Sequence, residues 1–365
     1  MATQETAAQQ EMDKQCINAV RTLAMDAVQQ GTSGHPGLSM AMAPVIYCLW
    51  QRFLRFDPEY PIWPNRDRFV FSMGHASALL YAIRHLCGVK AVNSECEVQN
   101  YLSVELDDFK NFRQLDGKCP GHPEYRLSSG IETATGPPGR GEARSVSMAL
   151  ASHWMGCYFN RTDFDLLNYN VYAMFGDTCM KESLSGEAAS VASRFKLSNL
   201  CWIYNNHNIA IEGIPVMTCT EDVTARFLGF GWNVTRVEDA NNLEMLRRAF
   251  TTFQNTDDRP TLIIVDSHIA YGATNKQDAN AAHGERPGDE EIRQMDKHYG
   301  RQEDARFRVP DAVYEHFKEH IGKRGRELHR KWAATFEDYR STHPILVQHG
   351  ELIQRRSRWF ENRLV

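Results

Sequence analysis

Short apolar runs alternate with amphipathic stretches along most of this chain. The runs Arg68 to Ser72, Val171 to Phe175, Leu200 to Tyr204, Trp232 to Val237 and Leu262 to Asp266 are rich in Val, Ile, Tyr and Phe and predict strands. Helix-like segments lie between them, the order that a parallel sheet with crossover helices requires. The expected class is therefore α/β. Three of the runs end in polar loops, FSMGH, FGDTC and YNNHN. Ligands of open α/β sheets sit at such carboxyl ends of strands, so the site is expected there. Beyond about Val309 the pattern becomes helical and highly charged, and it closes on the basic, aromatic segment QRRSRWFENRLV. One large domain over residues 1–308 and a helical extension over 309–365 are expected, with no second globular domain.

Composition narrows the function. A chain of 365 residues with 42% hydrophobic content can bury a substantial core. Its net charge of -5 comes from interspersed acidic and basic residues. Without a long basic run to track a phosphate backbone, nucleic acid is not an expected partner. The 9 cysteines are scattered and form no Cys-x-x-Cys pair, which argues against a disulfide framework and against a zinc ribbon. The amino-terminal segment is polar, and no stretch approaches the roughly 18 apolar residues of a membrane span. A cytoplasmic, reducing location fits these features.

The segment from Val171 to Gly213 carries the most chemistry. An apolar strand ends in Gly-Asp, a helix follows with Glu182 and Glu187, and a second strand ends in an Asn-rich turn. Such a crossover brings Asp177 and the turn together, where carboxylate, amide and backbone oxygens suit Mg²⁺ and a cation balances a diphosphate. Taken alone, the segment is equally compatible with a plain strand-turn-helix crossover in which Asp177 caps the helix.

Six segments together are more specific: TSGHPGLSMAMAPV, NRDRFVFSMGHASALLY, FRQLDGKCPGHPEYRL, ETATGPPGRG, the crossover just described, and YGATNKQDANAAHGERPG. In order and spacing they resemble the amino-terminal, diphosphate-binding half of the transketolase family, collinear from about Asp13 to about Tyr339. The resemblance implies a doubly wound parallel sheet flanked by helices, the thiamine diphosphate-binding fold, with a helical carboxyl-terminal extension. It implies thiamine diphosphate and a divalent metal as cofactors. His75 and His283 would touch the cofactor, and His35 and His122 the hydroxyls of donor or acceptor; imidazole can give or take a proton near neutral pH, as making and breaking a bond beside a carbonyl requires. Gly136, Pro138, Gly176, Thr178, Glu182 and Ile211 fall at cofactor-binding positions of the family, with Pro137 and Gly139 in the same glycine-rich turn. Glu182 and Glu187 match carboxylates near its subunit contact. Asp177, His207 and the Ile209 carbonyl fall at the metal.

The pattern also departs from the family. Thr178 replaces a glycine, so the loop is expected to shift or bear strain. His207 replaces an asparagine ligand, and imidazole favours Mn²⁺, Co²⁺ or Zn²⁺ over Mg²⁺, although a small register change would offer Asn206 instead. Pro138, Arg140, Ser183 and Asn280 depart as well. In the family the cofactor lies between this domain and a pyrimidine-binding domain that supplies the activating glutamate, and this sequence ends before that domain. The resemblance implies a split enzyme, the chain pairing with a separate pyrimidine-binding subunit as an α₂β₂ assembly to transfer a ketol or acyl unit. A non-catalytic regulatory or scaffold homologue with a degenerate cofactor site, and a truncation of a longer chain, stand as alternatives.

Overall fold

The structure, a computed structural model of the chain, is described for residues 6–125, 127–207 and 221–351. Its main sheet contains the five expected strands, each within one or two residues of the expected bounds. They are β1 (Arg68–Phe71), β4 (Val171–Gly176), β5 (Leu200–Asn206), β6 (Asn233–Val237) and β7 (Thr261–Asp266). The order is β1-β4-β5-β7-β6 and every pairing is parallel. Two further short strands, β2 (Lys90–Val92) and β3 (Val98–Leu102), form an antiparallel hairpin outside this sheet that the apolar pattern did not indicate.

All six residues of β4 are buried because helices cover both faces of the sheet. Tyr172 and Met174 enter one core with the amino-terminal helix Ala7–Gln30 and the helix Ser77–Leu86. Val171, Ala173 and Phe175 enter the other with the helices Arg140–Phe159 and Ser183–Arg194. The sheet is thus the middle layer of a three-layer α/β fold, as the doubly wound reading requires.

Beyond residue 309 the chain is helical, through Asp311–Phe317, a π-helical turn Lys318–Gly322 and the helix Lys323–Thr342. This part lies against the domain. The Arg324 guanidinium donates to the carbonyls of Trp50 (2.8 Å) and Leu54 (3.0 Å), the Trp332 indole to the Leu166 carbonyl (2.8 Å), and the Tyr339 hydroxyl to the Phe159 carbonyl (2.7 Å). Among the described residues no helix is long and apolar enough to cross a membrane.

Candidate active site

Four loops at one end of the sheet carry the motif histidines. His35 immediately precedes the helix Pro36–Ala41, and His75 sits in the 3₁₀ turn Gly74–Ala76 that follows β1. His283 lies on the short helix Ala281–Gly284 after β7. The loop with His122 is pinned by side chains from the helix that follows His75: Ser77 donates to the carbonyls of Pro120 (3.1 Å) and Gly121 (3.0 Å), and Tyr81 to that of Pro120 (3.0 Å). Gly74 makes this approach possible. A methyl group there would lie 2.2 Å from the Thr135 carbonyl and 3.0 Å from the His122 ring.

The rings converge. His35 and His75 have centroids 4.9 Å apart, His75 and His283 stack at 5.5 Å, and His35 lies edge-on to His283 at 5.8 Å. Burial, reinforced by His35, His283, His122 and His207, lowers the His75 pKa to about 3. Burial and the neighbouring His207 and His35 lower that of His283 to about 4. For His35 and His122 burial again comes first and the Arg113 charge second, both acting downward. All four imidazoles are therefore neutral at neutral pH, each offering one N–H and one lone pair. His35 Nδ1, His75 Nε2 and His283 Nδ1 are buried without a hydrogen-bond partner among the described residues. Buried polar nitrogens are rarely left so, and a bound group with polar edges would satisfy them. In that respect the residues fit a heterocyclic cofactor and a hydroxylated substrate.

The second half of the site is the Asp177 turn. β4 and β5 are neighbours in parallel register, Gly176 opposite Asn205, so the two loops begin side by side. The Tyr204 hydroxyl donates to Asp177 Oδ1 (2.5 Å), and His207 Nε2 lies 3.8 Å from Asp177 Oδ2. His207 is 6% exposed and its ring stands 5.8 Å from that of His283, which joins the turn to the imidazole cluster. Burial lowers its pKa, with Asp177 opposing. Asp177 and His207 are thus together, as the crossover between β4 and β5 predicts. Ile209 and Ile211 lie outside the described residues, and among those described no group of three His, Cys, Asp or Glu is placed to hold a metal ion. Asn206 does not stand in for His207. Its amide is engaged by Asp266, to which it donates (2.6 Å), and with Tyr204 it lines a cleft of about 330 Å³ that Asp177, Lys181 and Arg236 share.

The strain expected at Thr178 is absent. Asp177–Met180 forms a helical turn in which Thr178 is exposed, and Thr178 is not among the residues of positive φ. A β-branched residue occupies such a turn without penalty because the chain passes from extended Gly176 directly into helix. In the glycine-rich segment Gly136 and Pro137 are exposed, Pro138 is half-buried, and Gly139 takes φ +78 with the Glu182 side chain against it. Glu182, Glu187 and Arg140 are exposed.

Three features escaped the sequence reading. Tyr204 orients Asp177; a tyrosine closing an apolar strand beside a Gly-Asp turn was the available signal. Beneath the turn, Ser72 donates to Glu142 Oε2 (2.9 Å), while Glu142 Oε1 has no hydrogen-bond partner among the described residues and the Cys179 thiol lies alongside. Burial raises the Glu142 carboxyl pKa, with the Ser72 and Cys179 hydrogen bonds opposing, and pushes the Cys179 thiol up to about 12. The third feature is Arg113, beside His35 and His122.

The comparisons with known proteins agree with this geometry. A family model described as "Transketolase, thiamine diphosphate binding domain" matches residues 12–358. The chain is 38% identical over 336 residues to a transketolase of Geobacillus stearothermophilus, covering 92% of this chain and 48% of that protein. It is 39% identical over 342 residues to one of Staphylococcus epidermidis, covering 94% and 49%. Among solved structures, the transketolase from Leishmania mexicana superposes with a TM-score of 0.85 at 33% identity, covering 92% of this chain and 48% of that one. The Campylobacter jejuni transketolase does so at 0.82 and 34%, covering 90% and 48%. The chain spans about half the length of the relatives it matches. It belongs to the transketolase family, as a thiamine diphosphate-binding domain.

Proposed function

We propose that this chain is the amino-terminal subunit of a two-component, thiamine diphosphate-dependent transketolase-like enzyme, which transfers a ketol or acyl unit between carbonyl substrates together with a separate pyrimidine-binding subunit. One observation carries the reading. Three neutral imidazoles face one another within 4.9–5.8 Å, each with a buried nitrogen left unpartnered among the described residues.

When bound, thiamine diphosphate supplies an electron sink for the carbon-carbon bond that must break and re-form. The chain's own residues position groups and move protons around it. His75 Nε2 and His283 Nδ1 would face the cofactor, while His35 and His122 would receive hydroxyls of donor or acceptor. A neutral imidazole serves both purposes, because it can donate to an oxygen or take the proton of a hydroxyl as a carbonyl forms. Asp177, His207 and the Ile209 carbonyl would hold the divalent metal, and the imidazole shifts preference from Mg²⁺ toward Mn²⁺ or another transition metal. Gly136, Pro138, Gly176, Thr178, Glu182 and Ile211 would line the rest of the cofactor site.

A partner is supported by an exposed apolar face. Trp154 and Tyr158 stack at 5.3 Å on the outer side of the helix Arg140–Phe159 with Leu150, and Leu184 and Val191 are exposed on the adjacent helix Ser183–Arg194. Contiguous exposed apolar surface marks interfaces more often than free surface, and an α₂β₂ assembly would cover it. The second reading, a regulatory or scaffold homologue, is favoured by Thr178 and His207, the departures at the Asp177 turn.

Co-purification with a chain that carries the pyrimidine-binding domain, followed by titration of thiamine diphosphate with Mg²⁺ or Mn²⁺ and an assay of ketol transfer, separates the two. Complex formation with turnover supports the enzyme. A complex that neither binds the cofactor nor turns over supports the scaffold.

A further inference from the structure

Arg113 takes no part in the machinery assigned above, yet it spans two of its loops. It follows the helix Leu106–Lys110 at φ +60, a left-handed conformation that side chains other than glycine seldom adopt. Its backbone N–H donates to the Cys119 carbonyl (2.9 Å), closing the loop that leads to His122. The preceding Phe112 is buried beneath the turn that carries His35: methyl groups on Gly31 and Gly34 would meet the Phe112 carbonyl at 2.7 Å and its ring at 3.1 Å. With Phe112 turned inward, Arg113 reaches across the top. Its Nη1 donates to Ser33 Oγ (2.7 Å), two residues before His35. Its guanidinium lies against Gly121, the neighbour of His122, where an added methyl would stand 2.4 Å from Nε.

No carboxylate among the described residues forms an ion pair with this guanidinium. Its charge therefore acts on what it faces. His35 faces Arg113, His122 and His75; His122 faces Arg113 and Glu124; His75 faces His35, His283, His122 and His207. Of these groups Arg113 is a permanent cation and Glu124 an anion, and the rest are imidazoles.

We propose that Arg113 is a positioning residue, a single guanidinium that ties the Ser33–His35 turn to the Gly121–His122 loop and holds a fixed positive charge against both imidazoles. The two rings, 87 residues apart in sequence (122 minus 35), are thereby kept at one spacing and in one protonation state. The use of that pairing rests on the proposed function, in which His35 and His122 receive substrate hydroxyls. The pairing itself does not.

The test follows the imidazole Cε1–H resonances of the full chain by NMR across pH in wild type, R113M, R113K and S33A, each ring identified by its own His→Asn variant. In R113M the titrations of His35 and His122 move to higher pH, because a cation that opposes the imidazolium has gone. R113K keeps the charge and leaves both titrations close to wild type. S33A keeps the charge but cuts the tie, so amide exchange at residues 33–35 and 121–122 quickens with little change in titration. Overlaid titrations in wild type and R113M overturn the electrostatic role. If R113M does not fold, R113K and S33A decide: unaltered exchange in both loops in both variants overturns the tie. In the enzyme reconstituted with its partner, the acid limb of the pH–rate profile of R113M moves upward. A fixed limb despite shifted NMR titrations counts against the roles of His35 and His122, not against the tie.

Discussion

The imidazole cluster and the Asp177 turn meet at His207, yet they are built on opposite principles. The cluster gathers loops from four separate parts of the chain and leaves His35 Nδ1, His75 Nε2 and His283 Nδ1 open. The turn comes from one crossover, and its polar groups engage one another: Tyr204 and His207 attend Asp177, while Asp266 takes Asn206. One region leaves its nitrogens open, the other pairs its polar groups beside a cleft of about 330 Å³. Two departures from the transketolase pattern, Thr178 and His207, fall in the second, while Asn280, at the N-cap of the helix that carries His283, falls in the first.

This contrast can be broken in four places. His75→Asn in the reconstituted enzyme should lower kcat by about 10²–10⁴-fold, the range for a positioned proton-transfer group, with the fold intact by circular dichroism. A rate within a few-fold of wild type would take His75 out of the chemistry. Asp177→Ala should weaken metal-dependent cofactor binding by roughly 100-fold by calorimetric titration. Unchanged affinity would put the metal elsewhere. Gly74→Ala should cost about 1–3 kcal/mol in denaturant unfolding and displace His122, because the new methyl meets backbone rather than a movable side chain.

The smallest effect is one of slope. Unfolded imidazoles titrate near 6.5 while His75 and His283 resist until about 3 and 4, so the unfolded chain binds protons first and stability falls as pH drops below 6.5. Glu142 acts in the other direction. Its folded pKa is raised above 4.5, so its contribution is complete below 4.5 and is lost as pH rises through the folded value. Glu142→Gln should therefore raise the Tm at pH 8 relative to wild type and leave the acid limb unaltered. Parallel melting curves at every pH would show that Glu142 is ionised and satisfied in the folded chain.

The sheet was legible in the sequence because a parallel strand covered on both faces leaves a continuous apolar run, as VYAMFG does in β4. The hairpin of β2 and β3 was not, since its short strands are mostly half-exposed and the turn between them depends on Cys96 at φ +62. The motif histidines were found through family resemblance alone; no periodicity links His35, His75 and His283, and only the sheet brings them within one ring diameter or so of each other. Glu142 looks like an ordinary polar residue of a helix start, and its burial is imposed by Ser72 and Cys179 from other elements. Arg113 was hidden for a similar reason, its partner Ser33 being 80 residues away.

The pairing of β4 with β5 also bears on how this molecule changes over generations. Which side chain meets Asp177 is decided by the count of residues along β5, since His207 is flanked by Asn206 and Asn208. A one-residue insertion or deletion within that strand would deliver an amide where the imidazole now stands, whichever way the chain slips. The polar group beside Asp177 is thus written in the length of a strand as well as in its letters, and a lineage can revise it by a frame-preserving indel without a single amino-acid replacement.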